Sequence, residues 1–489
     1  MQFNSLEYLI FFPIVAALYF ALPHRFRWIL LLAASYFFYM CWKAEYALLI
    51  LLSTLVDYWA ALRMGATEQR KRRRRYLVVS LIVNLGLLFS FKYFNFVSHS
   101  IQGLLGGLDL SNDFPMLNIL LPVGISFYTF QTLSYTIDVY RGVREPERHF
   151  GIFAVYVSFF PQLVAGPIER STRLLPQFFE RHGFEYNRVV DGLRLMLWGF
   201  FKKIVIADRL AVYVNQVYNH PGDFSTGPLI LATYFFAFQI YCDFSGYTDI
   251  AIGSARVMGY DLMENFRRPY FARSIAEFWR RWHISLSSWF RDYLYISLGG
   301  SRVWRWRWYY NLILVFTLSG LWHGANWTFF AWGALHGGYM IMSDLTRPIR
   351  EKLVSVFRLR RRPTLRKWLQ AGITFHLVLL AWVFFRANSL GDAVLILRKI
   401  AAVDLADLAA DLTRGFYAND LSRGWFDLGA ALAGIGLLLG LQLAQRRGGL
   451  SSFLGTRPVW QRWGLYYAVV MAIILFGVYE HAEFIYFQF

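Results

Sequence analysis

Two histidines in aromatic surroundings are the residues of this chain whose types and neighbours best suit catalysis. His323 lies at the centre of Ser319–Trp327, between a tryptophan and a glycine. His283 lies within Trp279–Ser287, beside adjacent arginines and tryptophans. An imidazole can exchange a proton near neutral pH, and arginines bind anionic groups. The two histidines therefore indicate acyl or phosphoryl transfer on an anionic substrate.

A metal site is a second interpretation of the same residues. His336 follows His323 by 13 residues, which corresponds to about 220° of rotation along a helix. The two rings therefore do not form the i,i+4 pair of helical zinc sites. The two cysteines, Cys41 and Cys242, are too few for a disulfide framework or a cysteine-ligated zinc site. We expect no metal ion and no tightly bound cofactor.

Ionisable residues also lie inside apolar segments, where polar groups are costly and often functional. A transporter or flippase of a lipid-linked or anionic substrate, with Asp57, Asp243 and Asp249 as a cation or proton relay, is an alternative interpretation. The absence of an internal sequence repeat disfavours it. Asp243 and Asp249 are separated by about 240° of helix rotation and are not expected to form a carboxylate pair. Lys202 and Lys203 are expected to extend to the membrane surface or to contact a phosphate.

Composition places these residues in a membrane protein. The 489 residues are 57% hydrophobic with a net charge of +19, and 17% are charged, against roughly 25% in a soluble domain. A soluble fold could not cover so much apolar surface, and a nucleic-acid-binding protein would lack the apolar blocks. We therefore expect a bilayer and no nucleic acid as partner. A membrane scaffold that binds anionic lipid through its arginines is a further, non-enzymatic alternative.

Eleven apolar segments approach the length of about 20 residues that a bilayer-spanning helix needs. They are Leu6–Leu22, Arg27–Trp42, Tyr46–Leu62, Tyr76–Val97, Leu117–Tyr140, Val190–Val212, Pro228–Ala251, Tyr309–Met342, Trp368–Phe385, Trp425–Ala444 and Trp463–Tyr479. The basic run Arg63–Arg75 is expected in the cytoplasm. The sequence predicts an all-α polytopic membrane protein of about 11–13 membrane helices, with re-entrant and interfacial amphipathic helices.

Three segments are expected to depart from simple spanning helices. Phe150–Gly166 lies between basic stretches and contains Pro161, so a re-entrant or interfacial segment is expected. Met263–Trp308 combines arginines with aromatic residues at helical spacing and is expected at the cytoplasmic interface. Tyr309–Met342 would be about 50 Å long as one helix, beyond a roughly 30 Å bilayer core, and is expected to form a hairpin.

Five motifs together carry a family resemblance. The two most specific are Phe278–Leu294 (FWRRWHISLSSWFRDYL) and Ser319–Gly324 (SGLWHG). The supporting motifs are Pro161–Ile168 (PQLVAGPI), Tyr241–Tyr247 (YCDFSGY) and Trp332–Gly337 (WGALHG). The chain resembles the membrane-bound O-acyltransferase family, and most closely its bacterial branch, typified by the membrane subunit of alginate O-acetyltransferases. It departs from the pattern at Ser297, where proline is usual, and at Asn326, where a small residue is common.

The resemblance implies one integral membrane domain over residues 1–489, with a motif-bearing core at 117–345 and less distinctive C-terminal helices at 368–489. It implies an O-acyltransferase of the bacterial inner membrane that takes an acyl group from a cytoplasmic thioester, with acetyl-CoA as the donor substrate. The implied partner is a periplasmic or extracellular acyltransferase or polysaccharide-modifying protein. An exopolysaccharide of alginate type is the favoured acceptor, with peptidoglycan, cellulose and teichoic acid as alternatives.

The resemblance also implies roles for individual residues. The family's histidine corresponds to His323, which would take the proton of the acceptor hydroxyl. The second histidine of the bacterial branch corresponds to His283, which would orient His323, polarise the thioester carbonyl or bind the donor. The expected donor-binding residues are Arg280, Arg281 and Arg267 for the phosphates, Trp282 and Trp322, and Asn326 as an amide for an oxyanion.

Overall fold

The computed structural model describes residues 1–106, 114–164, 166–402, 424–444, 454–455, 457–479 and 484–485. Ala165 and parts of the predicted C-terminal helices at 368–489 lie outside these ranges. Within the described ranges every regular element is a helix, which confirms the all-α class. The chain divides into two units, Met1–Met196 with Ile250–Glu264 and Leu197–Asp249 with Asn265–Phe489.

The first unit contains a buried aspartate, Asp57, on one of its helices. The helices of this unit are α1 (Leu6–Ala21), α2 (His24–Met40), α3 (Ala47–Gly65), α4 (Arg70–Leu88), α5 (Phe94–Gly106), α6 (Ile125–Arg141), α7 (Phe150–Ser158), α8 (Phe160–Leu163), α9 (Ser171–Gln177) and most of α10 (Tyr186–Phe200). The carboxylate of Asp57 on α3 accepts hydrogen bonds from Ser80 Oγ at 2.5 Å and Asn84 Nδ2 at 2.9 Å, both on α4. These neutral donors give Asp57 a role in joining the two helices.

The second unit contains both candidate histidines. Its helices are α11 (Asp208–Asn219), most of α12 (Thr226–Met258), α13 (Ile275–Trp279), α14 (Ile284–Trp289), α15 (Arg305–His323), α16 (Trp327–Leu345), α17 (Arg347–Val356), α18 (Pro363–Arg386), α19 (Leu390–Ala401), α20 (Gly424–Ala444) and α21 (Val459–Phe476). A π-helical segment, Phe201–Ala207, precedes α11, and another, Phe290–Tyr295, follows α14.

Six described helices are long and apolar enough to cross a membrane, so the chain is a multi-pass membrane protein. They are Ala44–Gly65, Arg70–Gly106, Thr226–Met258, Pro363–Arg386, Phe426–Ala444 and Val459–Phe476. All eleven predicted segments fall on helices, and those outside this set form helices that are shorter or more polar. The segment Leu117–Tyr140 becomes helical only from Ile125, because Gly124 before it adopts a left-handed backbone with φ of 78°.

The predicted interruptions occur in the structure. Phe150–Gly166 breaks at Phe159 into α7 and α8, and Pro161 lies in the first turn of α8, where its missing N–H is tolerated. Tyr309–Met342 forms the expected hairpin of α15 and α16, with the chain turning between them. Met263–Trp308 contains only short helices.

Two lysines in the π-helical segment before α11 are buried in ion pairs. Lys203 Nζ lies 2.8 Å from Asp208 Oδ1 and 2.8 Å from Asp243 Oδ1. Lys202 Nζ lies 2.7 Å from Asp249 Oδ2. The expectation that these lysines extend to the membrane surface is wrong, because carboxylates of α11 and α12 compensate their charge inside the protein. Asp243 and Asp249 contact different lysines, which agrees with their predicted separation.

Replacing Lys203 by alanine is expected to destabilise the protein, because two buried carboxylates would lose their shared cation. Removal of one partner of a buried ion pair costs about 3–5 kcal/mol. The midpoint of thermal unfolding in detergent should therefore fall. Lys43→Ala is the matched control, since Lys43 pairs with Glu45 at 3.6 Å on an exposed surface and should change stability little. Equal midpoints for the two variants would contradict the structural role of Lys203.

Candidate active site

His323 is the last residue of α15, where the chain turns towards α16. The two helices approach closely there because glycines face the opposite backbone. A Cβ atom at Gly320 would lie 2.2 Å from Phe329 O, and one at Gly333 would lie 2.3 Å from Phe316 O. Only glycine fits at these two positions, so they set the spacing of the hairpin that carries His323.

Aromatic rings enclose the buried imidazole of His323. The ring centroids of Trp322, Trp332 and Phe385 lie 5.0, 5.1 and 5.4 Å from its own, in edge-to-face arrangements. Phe385 belongs to α18, so the C-terminal part of the chain contributes to the site although its sequence is less distinctive. The shell shields the imidazole from bulk water, and His323 is only 2% exposed.

His283 precedes α14 and is fully buried. Its backbone is left-handed, with φ of 42° and ψ of 57°, a conformation that is uncommon for residues other than glycine. Backbone strain of this kind is concentrated at functional sites. Burial lowers the pKa of His283 to about 3, so the imidazole is neutral at physiological pH.

The structure brings the two histidines together across 40 residues of sequence. The ring centroids of His283 and His323 are 6.3 Å apart, and the ring planes are inclined by 58°. Trp322 lies against both, with centroid distances of 5.9 and 5.0 Å. Since a catalytic hydrogen bond spans about 2.6–3.2 Å, both imidazoles can reach one small reacting group.

The three candidate donor-binding arginines differ in exposure and charge compensation. Arg267 and Arg280 are exposed, whereas Arg281 is half-buried. The guanidinium of Arg281 forms an ion pair with the Glu277 carboxylate at 2.5 Å. The backbone carbonyl oxygen of Arg281 accepts a hydrogen bond from the Arg267 N–H at 2.9 Å. Within the described part of the chain Arg280 forms no ion pair. Among those described residues no carboxylate compensates the charge of Arg280, which suits its guanidinium to bind an anion.

Trp282 and Asn326 have structural contacts that the sequence did not indicate. Trp282 is buried, with its ring centroid 5.1 Å from those of Phe266 and Trp382. Asn326 caps α16, because its Oδ1 accepts a hydrogen bond from the Thr328 N–H at 3.0 Å. The structure thus gives Trp282 a packing contact and Asn326 a capping contact, and their donor-binding roles stay predictions.

Two other histidines are hydrogen-bonded packing residues. Trp279 Nε1 donates to His336 Nδ1 at 3.3 Å. Tyr234 donates through its hydroxyl to His376 Nε2 at 2.8 Å, and the other ring nitrogen donates to the carbonyl oxygen of Gly372. Among the residues that the structure describes, no three His, Cys, Asp or Glu side chains are grouped so that they could hold a metal ion.

Sequence reasoning missed Asn265, which is buried against His283. Asn265 Oδ1 lies 3.1 Å from His283 Nδ1. The two residues are 18 positions apart. Both lie outside helices and α13 separates them, so no helical or strand periodicity links them. Only the tertiary fold brings them together, so the sequence contains no pattern that points to Asn265.

The fold and the site define a class of protein, a multi-pass helical membrane enzyme with two buried imidazoles at a common site. Residues 147–385 match the family model described as MBOAT, membrane-bound O-acyltransferase family. These residues contain His283, His323 and their aromatic neighbours.

Relatives with assigned names cover most of the chain. The "Probable alginate O-acetylase AlgI" of Azotobacter vinelandii is 42% identical over 395 residues, covering 80% of this chain and 76% of that protein. The "Peptidoglycan O-acetyltransferase" of Helicobacter pylori is 36% identical over 404 residues, covering 76% and 73%. The "Teichoic acid D-alanyltransferase" of Bacillus subtilis is 26% identical over 294 residues, covering 55% and 70%.

The chain belongs to the membrane-bound O-acyltransferase family. The resemblance carried by the five motifs is thereby confirmed, and with it the prediction that the chain is an acyltransferase. The named relatives share the family but differ in the envelope polymer that their names state.

Alanine at Gly320 is expected to push α15 away from α16 and to displace His323, because the new Cβ would lie 2.2 Å from a carbonyl oxygen. Overpacking of this kind typically costs about 1–3 kcal/mol. Both the thermal midpoint and the rate of acyl transfer should fall. The control is Gly338→Ala on α16, where nothing lies within 4 Å of the added Cβ. Wild-type stability and activity in Gly320→Ala would contradict the close packing of the hairpin.

Proposed function

We propose that the chain takes acetyl groups from cytoplasmic acetyl-CoA and passes them across the bacterial inner membrane for O-acetylation of an envelope polysaccharide of alginate type. The observation that carries the proposal is the pair of buried histidines, with ring centroids 6.3 Å apart, in a member of the membrane-bound O-acyltransferase family. The names of two relatives, alginate O-acetylase and peptidoglycan O-acetyltransferase, support an acetyl cargo and an envelope acceptor. The higher identity of the first favours the alginate type.

His323 is the general base of the proposed reaction. A thioester is already activated, whereas an acceptor hydroxyl holds its proton at neutral pH. His323 takes that proton as the hydroxyl oxygen attacks the thioester carbonyl carbon. The new C–O bond forms, the C–S bond breaks, and the departing CoA thiolate receives the proton from His323. Such proton transfer contributes typically about 10²–10⁴-fold to the rate.

The basic segment around Arg280 is the proposed binding site for the phosphates of the donor. Two of the arginines, Arg280 and Arg281, are adjacent in the sequence. The third, Arg267, is brought next to Arg281 by a hydrogen bond between their backbones. Arginine suits this role because its guanidinium binds phosphate oxygens in pairs. Trp322, which contacts both histidines, forms a wall of the acyl site.

A separate protein is proposed to complete the transfer outside the cytoplasm. Relatives with the same family core are named for alginate, peptidoglycan and teichoic acid. A common core with different acceptors is expected when a periplasmic or extracellular partner selects the polymer. The core then supplies the shared chemistry, and the partner supplies the specificity.

The transporter alternative loses support from the carboxylates on which it depended. Asp243 and Asp249 are held in ion pairs with Lys203 and Lys202. Asp57 accepts hydrogen bonds from neutral side chains between two helices of the first unit. These contacts give each of the three carboxylates a structural partner, so a relay is not needed to explain their burial.

His323→Ala is expected to lower acetyl transfer at least about 100-fold, because the proton acceptor is lost. The measurement uses radiolabelled acetyl-CoA and purified protein, with label transfer and release of CoA thiol followed together. Acetyl transfer by His283→Ala should also be slower than that of the wild type. His376→Ala is the matched control, since His376 is hydrogen-bonded to Tyr234 and Gly372 instead. Full transfer by His323→Ala would contradict its assignment as the base.

Arg280→Ala is expected to raise the KM for acetyl-CoA about 10–150-fold with little change in kcat, because a charged hydrogen bond to a remote phosphate is lost. S-acetylpantetheine, which lacks the adenine nucleotide of the donor, should be used equally well by the variant and the wild type. Arg347→Ala is the control, since Arg347 pairs with Glu351 on exposed α17. Equal changes in KM for both donors would contradict phosphate binding by Arg280.

A further inference from the structure

We infer that Asn265 is a positioning residue that holds His283 with its proton on Nδ1, so that His283 acts as a hydrogen-bond acceptor through Nε2. The assignment of the tautomer depends on geometry alone. Its catalytic meaning rests on the proposed function of the histidine pair.

The side-chain oxygen of Asn265 is the centre of a small buried network. Asn265 Oδ1 lies 3.1 Å from the Ser285 backbone nitrogen, 2.9 Å from Ser285 Oγ and 3.1 Å from His283 Nδ1. Asn265, His283 and Ser285 are each 1% exposed or less. Three polar groups thus converge on one amide oxygen in the protein interior.

The backbone N–H of Ser285 fixes the orientation of the amide. This group can only donate a hydrogen bond, so the atom that faces it must be the carbonyl oxygen of Asn265 and not its NH₂ group. A carbonyl oxygen can only accept. His283 Nδ1, which faces the same oxygen, must therefore carry a proton and donate it. In a neutral imidazole the lone pair then lies on Nε2.

The backbone around Asn265 holds His283 in its left-handed conformation. The carbonyl oxygen of Asn265 accepts a hydrogen bond from the Ile284 N–H at 3.0 Å. Two residues later, the Arg267 N–H donates to Arg281 O at 2.9 Å. The residues on both sides of His283 are thereby hydrogen-bonded to the stretch 265–267. Asn265 itself contacts the imidazole through its side chain and the backbone of the turn through its carbonyl oxygen.

Aromatic packing restricts the remaining freedom of the ring. The centroid of Phe244 lies 4.7 Å from that of His283, with the planes inclined by 87°. The hydrogen bond to Asn265 sets which nitrogen is protonated, and Phe244 restricts tilting of the ring plane. Together they orient the imidazole before any substrate binds.

The tautomer reduces the roles available to His283. Polarising a thioester carbonyl requires a donor, and the neutral Nδ1–H tautomer has no proton on Nε2 to donate. Orienting His323 or a hydroxyl group requires an acceptor, which Nε2 provides. Of the three roles implied by the family resemblance, the geometry therefore favours orientation by an accepted hydrogen bond.

Three variants test the positioning role by activity. Asn265→Ala should lower kcat about 10–100-fold, as expected for loss of a group that orients a catalytic imidazole, with little change in the KM for acetyl-CoA. Asn265→Asp keeps an acceptor oxygen and should recover most of the lost kcat. Ser288→Ala is the matched control, because it removes a hydroxyl on the same helix, α14, that donates to the Ser285 carbonyl oxygen at 2.9 Å and leaves the side chains of Asn265, Ser285 and His283 unchanged, and its kcat should stay close to wild type.

The kcat values are compared only for variants that are monodisperse in size-exclusion chromatography and unfold at the same thermal midpoint as the wild type. Wild-type kcat in folded Asn265→Ala would overturn the positioning role. A loss in Ser288→Ala as large as that in Asn265→Ala would also overturn it, because disturbed packing of the turn would then account for both.

The tautomer can be measured without turnover. Wild-type protein labelled with ¹⁵N-histidine is reconstituted in lipid bilayers, and solid-state NMR identifies His283 by the signal lost in His283→Gln. Protonated Nδ1 and unprotonated Nε2 are expected. A proton on Nε2 would overturn the inference even if the protein transferred acetyl groups. Failure of the wild type to transfer acetyl, with the expected tautomer present, would instead contradict the proposed function alone.

Discussion

Close contact between α15 and α16 is the constraint on which the candidate site depends. Gly320 and Gly333 allow each backbone to approach the other to a distance that a Cβ atom would prevent. This contact places His323 at the end of α15, under Trp332 of the next helix. The aromatic shell, the burial of the imidazole and its proximity to His283 all follow from that placement.

The excess positive charge of the chain has at least two different uses. Lys202 and Lys203 are compensated inside the second unit, and Asp243 also accepts a hydrogen bond from the Ile485 N–H at 2.9 Å, which ties the C-terminal segment to α12. Arg280, by contrast, is exposed in the segment that leads to His283. The buried lysines therefore contribute to the fold, whereas the exposed arginine is the proposed contact for an anion.

The length of Tyr309–Met342 predicted the hairpin, and residue types alone identified both histidines. The partner of Lys203 could not be predicted in the same way. Asp208 lies five residues after Lys203, and in a regular α-helix residues five apart do not face each other. The segment Phe201–Ala207 is instead π-helical, with hydrogen bonds between residues five apart, and this places the two side chains on one side. Asn265 was missed for a related reason, because its contact with His283 depends on an irregular turn.

The two imidazoles have different surroundings, and these surroundings favour different roles. His323 ends α15, and the C-terminal end of a helix stabilises a positive charge. A positive charge on His323 would therefore lie at the favourable end of the helix. Burial lowers the pKa of His283 to about 3, and its Nδ1 lies 3.1 Å from Asn265 Oδ1. Protonation of His283 would place a positive charge in the protein interior, where burial disfavours it, so the ring suits an accepting role in which it remains neutral. The asymmetry agrees with the proposed roles, in which His323 is the base and His283 orients it.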